Sequence, residues 1–440
     1  MQFFSHKLLT NLNKNFRIFL SHKIFLEENK MKKLLALLMA ACMIFSFAAC
    51  KSEEPAKTDD GGSSNTEPAG EATGTLKIGG IGPITGGAAA YGLAVQHGAE
   101  IAVEEINALG GMKIEFQMQD DEHDAEKSVN AYNTLKDWGM EVLMGTVTTN
   151  PCIAVSSKSN ADKIFTLTPS ASSTDVLGGQ PDANGNLTVP RKKSVFQMCF
   201  TDPNQGTASA QYISSKKLGT KIAIIYNDAD AYSTGIYEKF KAEAKKLGLN
   251  IVSEKSFSSD KNVDFTPHLN AAKNAGADLV FMPIYYTPAS VILKQAKDMK
   301  YDVKFFGVDG LDGLLGIEGF DTTLAEDVML LTPFAPDASD DLTKNFVAKY
   351  KEKYGETPSQ FAADAYDCIY AIYDACVAEG INADTMSASD ICDKLIARFT
   401  NSEFVFNGLT GANMTWSSTG EVSKAPKGMV IKNGVYVGMD

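Results

Sequence analysis

Short apolar runs alternate along the chain with longer stretches in which apolar residues recur every three or four positions. The first run begins at Leu76, and the first long stretch extends from Val95 to Leu109, before Gly110 and Gly111. This order predicts a strand and then a helix that ends at the glycine pair. Further strands in this part of the chain are predicted from residue 113 to about 120 and at residues 142–144 and 164–167, each followed by the start of a helix.

A second series begins near Asp202 and repeats the alternation. After about Thr332 the pattern becomes mainly helical, and near the end Asn433-Gly434 between two apolar runs predicts a hairpin with a type I′ turn. Strands are predicted at residues 222–226, 251–257, 278–285 and 305–306, and helices at 233–247, 338–354 and 359–379.

Repeated strand-helix units predict parallel sheets, because neighbouring parallel strands need a crossover connection that is usually helical. Two such series in one chain predict an α/β protein with two doubly wound lobes. The chain has 440 residues, 44% of them hydrophobic and 22% charged, which is enough for two domains and a terminal segment.

The first fifty residues have the pattern of a targeting sequence. Lys32 and Lys33 precede an apolar run at residues 34–47 that is short for a membrane span, and small residues lead to Cys50. The arrangement resembles a bacterial lipoprotein signal, in which the cysteine is lipidated after cleavage. Cys42 is a weaker candidate for this cysteine, and an uncleaved membrane anchor is the alternative interpretation.

This interpretation divides the N-terminal part of the chain into three pieces. Residues 1–30 are expected to be an upstream extension before a true start at Met31, and residues 31–49 to be the signal peptide. Residues 50–74 are expected to be the lipidated cysteine and a disordered tether, because they are rich in charged and small polar residues.

The charge of the chain disfavours nucleic acid as a partner. The formal net charge is −13, and the first 49 residues contain seven Lys or Arg and only two Asp or Glu, so the remainder is more acidic still. We find no basic stripe with interleaved aromatic residues, which a nucleic-acid-binding surface would need.

A ligand site is expected where the strands end, because open parallel sheets bind small molecules outside their carboxyl ends. A glycine-rich turn after the first strand leads to Tyr91, and Tyr232 has the corresponding place in the second series. Tyr285 and Asp309 follow later strands. Asp309 is placed to accept hydrogen bonds from an ammonium group and the tyrosines to enclose a side chain. A plain turn and partly buried packing are the alternatives.

Hydroxyl groups follow two strands of the first series. Thr149 follows the strand at residues 142–144, and Ser170 and Ser172 follow the next one. At helix N-termini such groups suit a carboxylate, because the helix dipole and the free N–H groups favour negative charge. The alternative is that they only cap their own helices, as the capping-box spacing of Ser172 and Asp175 would allow.

Several longer motifs occur in a fixed order, namely Gly82-Pro-Ile-Thr-Gly, Ala90-Tyr-Gly, Glu104-Glu-Ile-Asn, Thr168-Pro-Ser-Ala-Ser, Asp202-Pro-Asn-Gln-Gly and Gly307-Val-Asp-Gly. With them, the chain from residue 76 to 440 resembles the leucine/isoleucine/valine-binding proteins of ABC transporters. The resemblance implies a type I periplasmic binding protein fold, with two α/β lobes joined by a hinge of three crossovers. Lobe 1 would comprise residues 75–201 and 333–404, and lobe 2 residues 202–332 and 405–440.

The resemblance also implies roles for site residues. Thr149 and Ser172 would hold the carboxylate of an amino acid, and Ser170 would offer its backbone carbonyl to the ammonium group. Asp309 would take the ammonium group from the other lobe when the lobes close. The pocket aromatics would be Tyr91, Tyr232 and Tyr285. One departure concerns His123, which stands where some members carry a disulfide cysteine.

Catalytic motifs are missing from the sequence. We find no Gly-x-Ser-x-Gly, no Walker motif and no zinc-spaced His/Cys set, so neither an enzyme nor a cofactor is expected. A dinucleotide loop at Gly80 is disfavoured, because Thr85 occupies the third glycine position. The acidic run at residues 120–124 is interpreted as a solvated strand exit rather than a cation site. The five cysteines after Cys50 are expected to be buried thiols.

These observations predict an extracytoplasmic substrate-binding lipoprotein, monomeric and anchored to the membrane through Cys50. It would capture a branched-chain or other aliphatic amino acid and deliver it to the permease of an ABC importer. The alternatives are a receptor for another small carboxylate or amide, a ligand-sensing surface protein, and an enzyme with an amino-acid-like substrate.

Overall fold

The computed structural model describes residues 71–180, 187, 189–259 and 263–439. The predicted upstream extension, the signal peptide, Cys50 and the tether up to residue 70 lie outside the described residues. Among those described, no helix is both long and apolar enough to cross a lipid bilayer.

Strands of the first series form one sheet. They are β1 Thr75–Gly82, β2 Lys113–Asp120, β3 Val142–Gly145, β4 Phe165–Thr168 and β5 Val195–Gln197. The sheet is parallel throughout and has the order β2-β1-β3-β4-β5. The chain order therefore reverses between β1 and β3, which is the place where open α/β sheets bind ligands.

A second sheet contains the strands β6 Lys221–Asn227, β7 Asn250–Phe257, β8 Leu279–Met282, β9 Lys304–Gly307, β10 Met329–Thr332, β11 Lys427–Lys432 and β12 Val435–Gly438. Its order is β12-β11-β10-β9-β8-β6-β7, with antiparallel pairing only between β10, β11 and β12. The chain order reverses here between β6 and β8, so both sheets carry the same kind of crevice.

Ten α-helices connect these strands in the described part of the chain. They are α1 Ala89–Leu109, α2 Ala125–Trp138, α3 Thr149–Ala161, α4 Asp202–Lys216, α5 Ala231–Leu247, α6 Thr266–Asn274, α7 Tyr286–Asp298, α8 Asp341–Tyr354, α9 Gln360–Ala378 and α10 Ala388–Phe399. Every residue of the inner strands β3, β4, β8 and β10 is buried. This burial explains the apolar run of β8 and the mainly apolar residues of the others, because helices cover both faces of a parallel sheet.

The chain passes between the two sheets three times. After β5 it continues into α4, which packs against α5 beside the second sheet. After β10 it returns to α8 and α9, which pack against α1. After α10 it goes back to β11. The predicted α/β architecture with two parallel-dominated sheets is confirmed.

Two local predictions are wrong. The strand predicted at residues 278–285 ends at Met282, because Pro283 has no N–H for the sheet and Tyr285 already precedes α7. Among the described residues between β4 and β5 there is no α-helix, and a single 3₁₀ turn, Thr174–Val176, stands in the predicted place. The predicted hairpin turn is confirmed, since Asn433 and Gly434 both have positive φ, at 51° and 74°.

Buried thiols were expected for the cysteines of the folded part, and this prediction is confirmed. All five described cysteines are free and buried, at positions 152, 199, 368, 376 and 392. Each of them packs as a small apolar side chain.

Gly98 sets the distance between α1 and α9. A Cβ atom at this position would lie 2.0 Å from the carbonyl oxygen of Ala362 in α9. Gly98→Ala is therefore expected to lower the free energy of unfolding by about 1–3 kcal/mol, since backbone atoms have to move apart. Urea unfolding measures this loss. Gly316→Ala is the matched control, because a Cβ there meets open space, and an equal loss in both variants would contradict the packing argument.

Candidate functional site

The candidate site lies where the carboxyl ends of the two sheets face each other. It is a cavity of about 10 Å³, close to the space that one water molecule requires. The walls therefore have to move apart before a larger molecule enters. The cavity is lined by Tyr91, Val147, Thr148, Ser170, Tyr232, Tyr285, Asp309, Gly310 and Phe361.

A fixed loop between β1 and α1 positions Tyr91. Asp120, at the end of β2, accepts hydrogen bonds from the backbone N–H of Ile84 at 3.0 Å and from the hydroxyl of Thr85 at 2.5 Å. Gly92 allows the first turn of α1 to pack directly on this loop, because a Cβ at this position would lie 2.0 Å from the carbonyl oxygen of Pro83. The glycine-rich run thus brings Tyr91 to the cavity through close backbone packing.

The acidic run that begins with Asp120 is a solvated strand exit only in part, because Glu122 and Asp124 are exposed whereas Asp121 is not. Asp121 is fully buried, and burial raises its pKa to about 7. Its carboxylate accepts a hydrogen bond from the backbone N–H of His123 at 2.9 Å. No group of three or more His, Cys, Asp or Glu in the described parts of the chain could hold a metal ion.

Tyr91 connects the two sides of the cavity. Its hydroxyl donates to the carbonyl oxygen of Gly310 at 2.5 Å and accepts from the backbone N–H of Tyr286 at 3.2 Å. Burial raises the pKa of Tyr91 well above its usual range, so the hydroxyl stays protonated. Ala90 N–H also donates to the hydroxyl of Tyr286 at 3.1 Å. These bonds join the start of α1 to residues of the second series.

At the end of β3, Thr148 and not Thr149 lines the cavity. Thr148 is the N-cap residue of α3, with φ −110° and ψ 153°, and its side chain makes no capping bond. Its Oγ1 lies 2.9 Å from Nδ1 of His123. Thr149 is the first helical residue, and its Oγ1 is buried without a hydrogen-bond partner in the described structure. Because the N-cap backbone is extended, Thr148 lines the cavity, one position before the predicted Thr149.

The two serines after β4 differ in position. Ser170 lines the cavity, and its hydroxyl donates to the carbonyl oxygen of Val147 at 2.6 Å. Ser172 is fully buried outside the cavity wall, and it faces the carboxyl of Asp202 without a hydrogen bond of normal geometry. The capping interpretation fails for Ser172, because Ser173 caps the short 3₁₀ turn.

Asp309 is the acid of the cavity and begins a short 3₁₀ turn directly after β9. Its carboxylate accepts from the hydroxyl of Tyr232 at 2.6 Å and from Nε2 of Gln205 at 3.0 Å. Burial raises the pKa of Asp309 to about 7, and the hydrogen bond from Tyr232 opposes this shift. Each carboxylate oxygen keeps a free lone pair, so the group can accept a further donor.

Aromatic rings form the remaining walls. Tyr285 stacks on Tyr232 with the ring centroids 4.8 Å apart, and Tyr91 meets the edge of Tyr285 at 5.5 Å. Phe361 of α9 lies 4.3 Å from the ring of Tyr91. Sequence reasoning missed Phe361, because it follows no strand. The only available signal was its place at the start of a predicted helix.

The cavity therefore combines three features. Hydroxyl groups and the N-terminus of α3 lie on the side of the first sheet, an ionisable acid lies on the side of the second sheet, and aromatic rings lie between them. Such a set can hold a small molecule that carries a negative and a positive end.

Comparison with known proteins supports this description. The sequence profile of the periplasmic binding protein family matches residues 75–431. A Leu/Ile/Val-binding protein homologue of Brucella melitensis is 32% identical over 240 residues, which cover 54% of this chain and 61% of that protein. The chain thus spans about three fifths of the length of that relative.

Solved structures give the same fold over most of the chain. A leucine-binding protein of Thermotoga maritima superposes with a TM-score of 0.72 at 26% identity, covering 83% of this chain and 98% of the other. A branched-chain amino acid transporter substrate-binding protein of Streptococcus pneumoniae, in complex with isoleucine, gives 0.71 at 26% identity, with 82% and 98% covered. The fold is that of a type I periplasmic binding protein.

Proposed function

The chain belongs to the periplasmic binding protein family, and from this premise we propose that it captures an amino acid between two lobes for an ABC importer. One observation carries the proposal. A buried acid, Asp309, faces hydroxyl-bearing strand ends of the other sheet across one cavity. An amino acid zwitterion has the two charges that this arrangement would meet.

We propose that the carboxylate binds on the side of the first sheet. Thr148 lines the cavity at the start of α3, where free N–H groups and the helix dipole favour a negative group. Thr149 and Ser172 remain in the proposal: the hydroxyl of Thr149 is buried without a hydrogen-bond partner among the described residues, and that of Ser172 is buried facing the carboxyl of Asp202. Ser170 would contribute through its backbone carbonyl, since its hydroxyl is already engaged.

The ammonium group would bind Asp309 from the second sheet. The tyrosines at positions 91, 232 and 285, together with Phe361, would enclose an apolar side chain. A branched-chain or other aliphatic amino acid fits such walls. The names of the relatives, which refer to leucine, isoleucine and valine, support this class.

The lobes of the proposal follow the two sheets. The sequence predicts lobe 1 as residues 75–201 and 333–404 and lobe 2 as residues 202–332 and 405–440. We propose to keep these bounds except for residues 405–426. Trp416 donates its indole N–H to the carbonyl oxygen of Gln197 at 2.8 Å and packs on Phe399 of α10. Residues 405–426 therefore go with lobe 1, and the hairpin of β11 and β12 with lobe 2.

The remaining parts of the proposal concern location and partners. We propose that the protein is extracytoplasmic and monomeric, is held to the membrane by lipid on Cys50, and delivers its ligand to permease subunits. The family premise supports the location, and the sequence around Cys50 supports the anchor.

The proposed ammonium site makes ligand binding depend on pH. Because the pKa of Asp309 is raised to about 7, a proton competes with the ligand ammonium below that pH. The affinity for leucine is expected to rise roughly tenfold from pH 6 to pH 8 and to level off above. Calorimetry at a series of pH values measures this change in affinity. Asp309→Asn should remove the dependence, and a slope that persists in this variant would contradict the assignment.

Calorimetry of the wild-type protein with the twenty amino acids and common small carboxylates tests the function itself. Saturable binding of leucine, isoleucine or valine, with no turnover of the ligand, is the expected result. Binding only of a carboxylate or amide without an ammonium group would favour the alternative receptor. Chemical conversion of a bound compound would overturn the proposal.

A further inference from the structure

His123 lies in the loop between β2 and α2, beside the cavity but not in its lining. Its φ is 60°, in the left-handed region that a non-glycine residue rarely adopts. Its backbone N–H donates to the buried carboxylate of Asp121 at 2.9 Å. Asp121 therefore holds this backbone in place, and the side chain of His123 extends from a fixed point.

The imidazole of His123 contacts both walls of the cavity. Nδ1 lies 2.9 Å from Oγ1 of Thr148, on the side of the first sheet. The ring meets Tyr285, on the side of the second sheet, with the centroids 5.4 Å apart and the planes at 87°. Thr148 and Tyr285 both line the cavity.

The direction of the hydrogen bond between His123 and Thr148 decides what Thr148 offers to a ligand. The threonine hydroxyl has a single proton. If Nδ1 accepts that proton, Thr148 presents only lone pairs to the cavity, and these repel a carboxylate. If Nδ1 carries a proton and donates it, the Thr148 O–H is free to point at the ligand.

We propose that His123 is a positioning residue for the ligand carboxylate: its Nδ1–H donates to Thr148 and turns the Thr148 hydroxyl toward the cavity. This inference rests on the proposed function. Its ring also limits the movement of Tyr285, so the same side chain joins the carboxylate site to the aromatic wall.

The choice of tautomer matters because the ring is neutral near pH 7. Burial lowers the pKa of His123 below its ordinary value, and the nearby carboxylate of Asp124 opposes this shift. Asp124 is itself engaged, since it accepts from the backbone N–H groups of Glu126 and Lys127 at 2.9 Å. A neutral imidazole carries one proton, and the proposal places it on Nδ1.

Three variants test the position of the donor. An asparagine places its amide near the position of Nδ1, whereas a glutamine extends toward that of Nε2. His123→Ala and His123→Gln are expected to weaken leucine binding about tenfold, because the Thr148 hydroxyl loses the hydrogen bond that orients it, and His123→Asn to remain within about threefold of wild type. Calorimetry measures all three. Equal losses for Asn and Gln would overturn the proposal.

A double-mutant cycle separates positioning from a general structural effect. In a Thr148→Val background, which has no hydroxyl to orient, His123→Ala is expected to cost little further affinity. A full tenfold loss in this background would show that His123 acts by another route.

The tautomer is measurable without any ligand. Nitrogen-15 NMR of the histidine ring distinguishes a proton on Nδ1 from one on Nε2, and the Nδ1–H form is expected in the wild-type protein. The Nε2–H form would overturn the proposal. Failure of every amino acid to bind wild-type protein would instead contradict the proposed function, so the two outcomes are distinct.

Discussion

Asp309→Asn is expected to weaken the binding of leucine by about 10- to 100-fold. A hydrogen bond to a charged group contributes about 1.5–3 kcal/mol, and each 1.4 kcal/mol corresponds to a factor of ten in affinity. The expected loss arises because an asparagine removes the negative charge while nearly keeping the volume. The amide oxygen of the asparagine can still accept from Tyr232, while its NH₂ group replaces the oxygen that accepts from Gln205.

Stability provides a second readout for the same variant. Burial raises the pKa of Asp309, which means that its charged form is unfavourable in the free protein. The free energy of unfolding at pH 8 is therefore expected to stay the same or to increase in Asp309→Asn, while affinity falls. Asp302→Asn, an exposed acid of the same series, is the matched control. Equal leucine affinity in the wild type and Asp309→Asn would refute the ammonium assignment.

Asp364→Ala is expected to lower the free energy of unfolding by about 3–5 kcal/mol, the largest effect on stability that we expect in this protein. Asp364 of α9 and Lys424, in the last passage between the sheets, form an ion pair at 2.7 Å that is almost completely buried. Lys424 also donates to the hydroxyl of Thr410 at 2.6 Å. Removal of the acid leaves a buried ammonium group without its main counter-charge.

Urea unfolding of Asp364→Ala measures this loss in the free energy of unfolding. Two further variants serve as comparisons. Glu254→Ala breaks a partly exposed pair with Lys241 and is expected to cost about 1 kcal/mol or less. The double replacement Asp364→Leu with Lys424→Met is expected to recover part of the loss, because the unpaired ammonium group is removed while the buried carboxylate of Asp367 keeps its hydrogen bonds from Leu409 and Thr410. If Asp364→Ala costs no more than Glu254→Ala, the buried pair does not hold this passage in place.

The order of strands and helices could be predicted because each apolar run has one dominant periodicity. β1, α1 and the glycine pair after Leu109 lie where the pattern places them. The hairpin at Asn433 was also predictable, since its turn type requires positive φ at two adjacent residues. In these places local sequence and tertiary packing favour the same structure.

At other positions tertiary packing decides what the sequence pattern leaves open. Thr148 and Thr149 have the same side chain, and Thr148 lines the cavity because its backbone at the N-cap is extended. Ser172 and Asp175 have capping-box spacing, yet the chain forms a single 3₁₀ turn capped by Ser173. Asp121 stands in a run of acidic residues, which predicts exposure to solvent, but its side chain is fully buried.

Other residues of the site carry no local signal. Phe361 reaches the cavity from α9, after the chain has left the second sheet and returned. Gln205 holds Asp309 although 104 positions separate them in sequence. His123 is a single histidine in an acidic loop, and only its distances to Thr148 and Tyr285 distinguish it from a surface residue.

The central claim is that one ligand is held by both of its charged ends. Calorimetry of the wild-type protein with leucine, with 4-methylpentanoic acid, which lacks the ammonium group, and with leucinamide, which lacks the carboxylate, tests it most directly. Leucine is expected to bind at least about tenfold more tightly than either analogue, one charge-assisted hydrogen bond being lost in each case. Binding of 4-methylpentanoic acid as tight as that of leucine would contradict the account.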